Sequence, residues 1–112
     1  MRNAVIDSAE TYRDQCAISQ TESESKNIRL ITSQAADEML NIDGVKASFV
    51  LYKNGDEINI SARSFGEMNV QLVMESLGGG GHQAMSACQL PGLTMAQARE
   101  KLERAIDRYL DK

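Results

Sequence analysis

The sequence has no tryptophan, one proline and one histidine, and aromatic residues make up only 4% of it. Single-stranded nucleic acids stack their bases on aromatic side chains, which are scarce here. Basic residues are also in the minority, at 12 against 16 acidic ones, which gives a net charge of −4. A surface that follows a polynucleotide needs a basic face, so we expect weak or no polynucleotide binding. A pocket for a single nucleotide needs only one or two cations, so this composition does not exclude one.

The scarcity of cysteine and the lack of long apolar runs indicate the cell compartment. Cys16 and Cys88 are too few for a disulfide framework, which favours a reducing compartment. No apolar run approaches the ~20 residues that a membrane helix needs, and no signal peptide follows Met1. We therefore expect a cytoplasmic domain, and any membrane anchor of a parent protein lies outside this sequence.

The apolar spacing predicts a single α/β (α+β) domain over residues 1–112, with a small mixed sheet of about four strands and helices packed against it. The predicted order is helix, strand, helix, hairpin, helix, strand, helix. The predicted helices cover residues 1–13 (a connecting helix), 28–42, 70–77 and 95–110, and the predicted strands cover residues 15–20, 45–52, 58–63 and 84–90. Residues 21–26 are predicted to form a polar loop.

Local signals support several of these boundaries. Asn54-Gly55 between two alternating segments is typical of a two-residue hairpin turn. Asn27 and Asn69 are candidate helix N-caps, and Thr94 with Gln97 has the spacing of a capping box. Gly44, after Asp43, is a candidate helix stop.

The second strand of the hairpin places Ser61 and Arg63 on one face, away from Ile58 and Ile60. A hydroxyl and a guanidinium side by side, shortly before a glycine-rich segment, favour an anion site. The alternative is an ordinary solvated face of an antiparallel sheet.

The segment Gly78–Gly81 followed by His82 is the most unusual in the chain. Glycine lets the backbone approach an anion closely and turn several N–H groups toward it, so we predict a loop that holds a phosphate. No Gly-Lys-Ser/Thr follows, as a Walker A loop requires, and the segment follows a helix rather than opening one after a strand. A flexible turn with a surface histidine is the alternative.

Catalysis within this chain is not supported by the sequence. A hydrolytic metal site needs three or more ligands at workable spacing, and the chain has one histidine and scattered carboxylates. A nucleophilic pair of Cys88 and His82 is a minor alternative. We predict no catalytic residue and no metal ligand here.

Three segments together resemble the DHH-associated C-terminal domain of the DHH phosphoesterase superfamily, whose hallmark is a GGGH loop. They are Ser61-Ala62-Arg63-Ser64, Asn69-Val70-Gln71 and Gly79-Gly80-Gly81-His82. The likeness extends from about Tyr12 to Leu110. The segments Gln34-Ala35-Ala36-Asp37 and Gly44–Val50 bring it closest to the GdpP-type cyclic-di-AMP phosphodiesterases.

The resemblance implies that this chain is an excised C-terminal part of a larger phosphodiesterase. In that family the DHH half holds two metal ions, usually manganese, and the associated half holds the substrate. The resemblance thus implies a phosphate site of Gly79, Gly80, Gly81, His82, Arg63 and Ser61, and no cofactor in this chain. The expected partners are a cyclic or short linear dinucleotide, the DHH domain of the same parent and, potentially, a second copy. The parent is expected at the bacterial cell membrane.

Two other interpretations stay open at this point. One is a nucleic-acid-binding domain of an oligonucleotide-degrading or tRNA-related DHH-family protein, which would show salt-dependent binding to single strands. The other is a structural or dimerisation domain in which the glycine segment is only a turn.

Overall fold

The computed structural model describes residues 2–22 and 25–111 and shows helices on both faces of one mixed sheet. The sheet has six strands in the order β1-β2-β3-β4-β6-β5, of which β2 and β3 are parallel and the other neighbours antiparallel. The helices are α1 (Arg2–Asp7), α2 (Ile28–Met39), α3 (Val70–Glu75) and α4 (Met95–Leu110), and the strands are β1 (Glu10–Tyr12), β2 (Cys16–Thr21), β3 (Ala47–Asn54), β4 (Glu57–Ser64), β5 (Gly80–His82) and β6 (Met85–Pro91). The predicted fold class is confirmed, but two short edge strands raise the strand number from about four to six.

The N-terminal segment differs from the prediction of a helix over residues 1–13. Helix α1 ends at Asp7, and β1 then pairs with β2. Arg13 and Asp14 both have positive φ, 55° and 63°, in the tight turn between these strands. The apolar spacing did not predict β1, because this short edge strand is stabilised by its pairing with β2 and not by a pattern of its own.

Strand β1 is also tied to α4. The Tyr12 hydroxyl donates to the Asp107 carboxylate at 3.0 Å, and Arg13 forms ion pairs with Asp107 and Asp111. Burial and the bond to Asp107 raise the pKa of Tyr12 to about 12. Arg13 holds the pKa of Asp111 below its usual value. Of the loop predicted over residues 21–26, Thr21 belongs to β2, and Ser23 and Glu24 lie outside the described residues.

One face of the sheet packs on α3 and α4 and forms the larger core. Phe49 of β3 and Ile60 of β4 are fully buried against this layer. Helix α4 contributes the stripe that its sequence predicted, since Ala98, Leu102, Ala105 and Ile106 are all buried. The capping box of Thr94 and Gln97 is formed.

The opposite face packs on α2, which connects the parallel strands β2 and β3. Ala35, Ala36 and Met39 of this helix are buried in a second cluster with Val50 of β3. The helix ends at Met39, not Ile42, which is 39% exposed, and Asn27 makes no capping bond through its side chain. Strand β4, expected to have one open face, is buried on both sides from Ile58 to Ser64.

The hairpin between β3 and β4 forms as predicted, but its two-residue loop lies one residue later than Asn54-Gly55. Asn54 pairs with Glu57, so Gly55 and Asp56 are the loop residues, with φ of 63° at Gly55. Over the described residues, no helix has the length and apolar content to cross a membrane.

Candidate functional site

A pocket of about 390 Å³ opens on the α2 face of the sheet, where α2 stops short of the β6–β5 edge. It is lined by residues from three separate parts of the chain. Helix α2 gives one wall, β3 and β4 the inner floor, and β5 and β6 the outer floor. The lining residues are Arg29, Ser33, Tyr52, Ser61, Arg63, Gly80, Gly81, His82, Met85, Ser86, Ala87 and Gln89.

The strand register explains why these residues meet. Arg63 lies opposite Met85, which lies opposite His82, so the three form one row across β4, β6 and β5. A second row, two residues along each strand, joins Ser61 to Ala87 and Gly80. Side chains two residues apart in a strand share a face. The pairing therefore brings five of the six predicted site residues, all but Gly79, to one pocket.

Arg63 is the most constrained cation of the pocket. The residue is only 9% exposed, and its Nη1 donates to the carbonyl of Ala62 at 2.9 Å. Its Nε lies 3.2 Å from Oδ1 of Asp37, close enough for an ion pair. This buried N–H makes no hydrogen bond to any of the described residues, although the Asp37 carboxylate lies within ion-pair distance. A buried guanidinium with an unsatisfied donor favours an anionic ligand beside it.

Helix α2 supplies polar groups that the sequence analysis missed. Arg29 and Ser33 line the pocket, and Asp37, one further turn along, reaches Arg63. The signal was available, because these residues recur every fourth position, beside the apolar stripe, and so share one helix face. Arg29 forms no ion pair or hydrogen bond through its guanidinium with any residue of 2–22 or 25–111.

The glycine-rich segment is not a free loop as predicted, because Gly80–His82 forms the edge strand β5. Helix α3 ends just before it in a Schellman motif, in which Gly79 N–H donates to the Met74 carbonyl and Gly78 N–H to that of Glu75. Gly78 has φ of 88°, which glycine adopts without strain. The helix therefore delivers the segment directly to the sheet edge.

The glycines of this segment have different environments. A Cβ at Gly79 would lie 2.2 Å from the Ala87 carbonyl oxygen, and one at Gly81 would lie 2.5 Å from that of Met85. A Cβ at Gly80 would meet nothing within 4 Å. Gly79 and Gly81 thus allow close packing against β6, whereas Gly80 faces open space. Gly79 does not line the pocket.

His82 lies exposed at the mouth of the pocket. Its Nδ1 accepts a hydrogen bond from the Ala84 N–H at 3.4 Å. A neutral imidazole that accepts at Nδ1 carries its proton on Nε2, which is then a donor for a ligand. Ser61 adds a hydroxyl on the pocket floor.

The alternative nucleophilic pair of Cys88 and His82 is wrong. Cys88 is fully buried on the α3–α4 face of β6, and His82 is exposed on the other face. Burial raises the pKa of the Cys88 thiol to about 12, which disfavours the reactive thiolate. Within residues 2–22 and 25–111, no three His, Cys, Asp or Glu side chains lie close enough together to hold a metal ion. The resemblance assigns the two manganese ions to a DHH half outside this chain, and that assignment stays a prediction.

The fold and the pocket define a small α/β domain with a polar groove at one margin of its sheet. Its sequence matches the DHHA1 domain family over residues 14–112, and the chain belongs to this family. This membership confirms the resemblance to the DHH-associated domain of the DHH phosphoesterases.

Comparison with curated relatives shows which members of the family this chain resembles. The cyclic-di-AMP phosphodiesterase PdeA of Listeria monocytogenes is 46% identical over 109 residues, which cover 96% of this chain and 17% of that protein. The cyclic-di-AMP phosphodiesterase GdpP of Bacillus subtilis is 41% identical over 113 residues, which cover 98% of this chain and 17% of that protein. This chain thus spans about one-sixth of the length of these relatives, and the predicted closeness to the GdpP type is confirmed.

A solved structure shows the same fold. An exopolyphosphatase-related protein from Bacteroides fragilis superposes with a TM-score of 0.83 at 23% identity, covering 96% of this chain and 33% of that one. At this identity the likeness concerns the fold alone.

Proposed function

We propose that this domain is the substrate-binding half of a DHH-family phosphodiesterase and holds a nucleotide phosphate in the pocket beside α2. The observation that carries the proposal is the Arg63 guanidinium, buried in that pocket with an unsatisfied Nε–H. A phosphate oxygen can accept from this donor in place of the exposed Asp37 carboxylate, which lies 3.2 Å from Nε, and the pairing of guanidinium with phosphate is strong and directional.

The remaining donors surround the same position. Ser61 lies two residues before Arg63 on the same face, and His82 lies in the same row across the sheet. The strand Gly80–His82 lies at the edge of the sheet, so among the described residues no further strand covers its outward main-chain N–H groups. Substrate phosphate would thus be oriented by a guanidinium, a hydroxyl, an imidazole and backbone donors.

The relatives support a substrate class for this proposal. Proteins 46% and 41% identical to this chain are named cyclic-di-AMP phosphodiesterases, so the proposed ligand is cyclic-di-AMP or its linear dinucleotide product. Hydrolysis would belong to a DHH half of the parent, where two manganese ions would activate water. This chain's own residues would bind and orient the phosphate.

The test is a titration of this 112-residue chain with cyclic-di-AMP and with linear pApA, followed by NMR chemical-shift changes. Hydrogen bonds to a charged group contribute about 1.5–3 kcal/mol, so Arg63→Ala is expected to weaken binding roughly ten- to hundred-fold. His82→Ala is expected to weaken it less, because His82 is exposed and water can replace it. Shifts in the unmodified protein are expected around Ser61 and Gly80–His82.

Arg104→Ala is the matched control. Arg104 is an exposed arginine of α4, on the opposite side of the sheet, and pairs with Glu100 at 2.6 Å. Its loss is expected to leave the affinity unchanged. Absence of binding by the unmodified chain, or equal affinity of the Arg63→Ala and Arg104→Ala variants, would overturn the proposed function.

A further inference from the structure

A carboxylate lies at the phosphate end of the pocket, where it repels an anionic ligand. Asp37, in the last turn of α2, places its Oδ1 3.2 Å from Nε of Arg63, and its side chain is 61% exposed. The described residues that line the pocket include two arginines and no aspartate or glutamate. Asp37 therefore adds a negative charge at the margin of a site that otherwise suits an anion.

The fold holds Asp37 in this position. Ser48 of β3 lies opposite Arg63 in the register of β3 and β4, and its buried hydroxyl donates to the Ala36 carbonyl at 2.5 Å. This bond fixes the last turn of α2 beside Arg63. The carbonyl end of a helix carries a partial negative charge, so the helix itself disfavours a carboxylate there. Among the described residues, the compensating charge for Asp37 is the guanidinium of Arg63.

The Asp37 carboxylate acts on a bound phosphate in two ways. It competes for the Nε–H of Arg63, whatever the ligand is. It also repels the ligand, and this repulsion grows in proportion to the charge of the phosphate. Two anions on one guanidinium lie within about 4–6 Å of each other, where one charge strongly affects another. A doubly charged phosphomonoester is therefore repelled about twice as strongly as a singly charged phosphodiester in the same place.

We infer that Asp37 is a specificity-determining residue of the phosphate site, which disfavours doubly charged phosphomonoesters relative to singly charged phosphodiesters. The inference rests on the proposed function, since it concerns a phosphate bound at Arg63. Hydrolysis of a phosphodiester creates a phosphomonoester with one more negative charge. The discrimination would thus favour substrate over product at this site.

The experiment compares AMP with the methyl ester of its phosphate, by chemical-shift titration of this chain at pH 8. Each ligand has a single phosphate, so the group that lies at Arg63 is defined. A phosphomonoester has a second pKa of about 6 and carries two negative charges at pH 8, whereas the methyl ester carries one. Asp37→Asn keeps the size of the side chain and removes its charge. It is expected to raise the ratio of AMP affinity to ester affinity about five-fold, the effect of one added unit charge about 4 Å away in water.

Two variants are matched controls. Asp37→Glu keeps the charge and is expected to keep the affinity ratio of the unmodified chain. Asp43→Asn removes the same charge from an exposed residue beyond the end of α2, whose side chain bonds to no residue of 2–22 or 25–111, and is expected to leave the ratio unchanged. The ratio is measured within one protein, so any loss of folded protein cancels.

The possible failures are distinct. If Asp37→Asn weakens AMP and its ester equally, Asp37 only positions Arg63, and the inference is wrong. An unchanged ratio with unchanged affinities would overturn it as well. In both cases the phosphate site stands, provided that Arg63→Ala weakens both ligands. If the unmodified chain binds neither ligand, or Arg63→Ala changes neither affinity, the proposed function fails and the inference fails with it.

Discussion

The two faces of the sheet are made by the same strands but have opposite characters. On the α3–α4 face, Phe49, Ile60 and Cys88 are fully buried in a continuous apolar core. On the α2 face, the apolar cover extends over β2 and β3, and polar groups occupy the sheet beyond it. The difference indicates that the α3–α4 face supplies most of the stability, whereas the α2 face leaves room for a ligand. Substitutions on each face test this separately.

The largest effect is expected from truncation on the apolar face. Phe49→Ala removes a fully buried ring and leaves a cavity, so we expect a loss of about 3–5 kcal/mol in the free energy of unfolding. Ser61→Ala, in the neighbouring strand on the pocket face, removes a buried hydroxyl that makes no hydrogen bond to the described residues, and is expected to cost only about 1 kcal/mol or less. Urea unfolding measures both. Equal losses would mean that both faces carry the stability.

A smaller effect is expected where β5 packs on β6. Gly79→Ala would place a Cβ 2.2 Å from the Ala87 carbonyl oxygen, and backbone shifts of that kind cost about 1–3 kcal/mol. Gly80→Ala meets no atom within 4 Å and is the adjacent control, with little expected change in stability. Thermal unfolding followed by circular dichroism separates the two. A Gly80 variant as unstable as the Gly79 variant would contradict the packing described here.

The helices that cover the two faces also begin differently. Thr94 caps α4 with a complete capping box, and Thr94→Ala is expected to lower the free energy of unfolding by about 1 kcal/mol. Asn27 precedes α2 without a side-chain capping bond, so Asn27→Ala is expected to cost less. Denaturant midpoints provide the comparison, and a larger loss at Asn27 would show that its side chain caps α2 in solution.

The smallest expected effect is chemical. Cys16 and Cys88 both lie in the apolar core, and burial raises their thiol pKa values to about 11 and about 12. Both thiols are therefore expected to be silent toward Ellman's reagent in the native protein at pH 8 and to react once urea unfolds it. Rapid reaction of either thiol without denaturant would show that the core on the α3–α4 face becomes exposed to solvent in the native protein.

Much of the fold was predictable because local signals specify it. The α4 stripe, its capping box, the Asn69 cap and, to within one residue, the hairpin turn all follow from residues close in sequence. The two edge strands were missed for a physical reason. Strand β5 is mostly glycine, which carries no side-chain pattern, and β1 has only three residues, so each is defined by its partner strand.

The candidate site was half predictable. Strand periodicity placed Ser61 and Arg63 on one face correctly, and their meeting with His82 required the β4–β6–β5 register, which no local pattern specifies. The contribution of Arg29 and Ser33 depends on how α2 crosses the sheet. Gly79 is the opposite case, because the sequence predicted it in the site. In the structure it packs against β6.

The pocket is assembled from α2, the β3–β4 hairpin and the β5–β6 edge, so it exists only when the chain is folded. A ligand that binds there must stabilise the folded state by mass action. At a concentration 100 times its Kd, it would add about 2.7 kcal/mol to the free energy of unfolding. Melting temperature is thus a direct readout of occupancy in this domain, and a panel of nucleotides can be ranked by it without any enzymatic turnover.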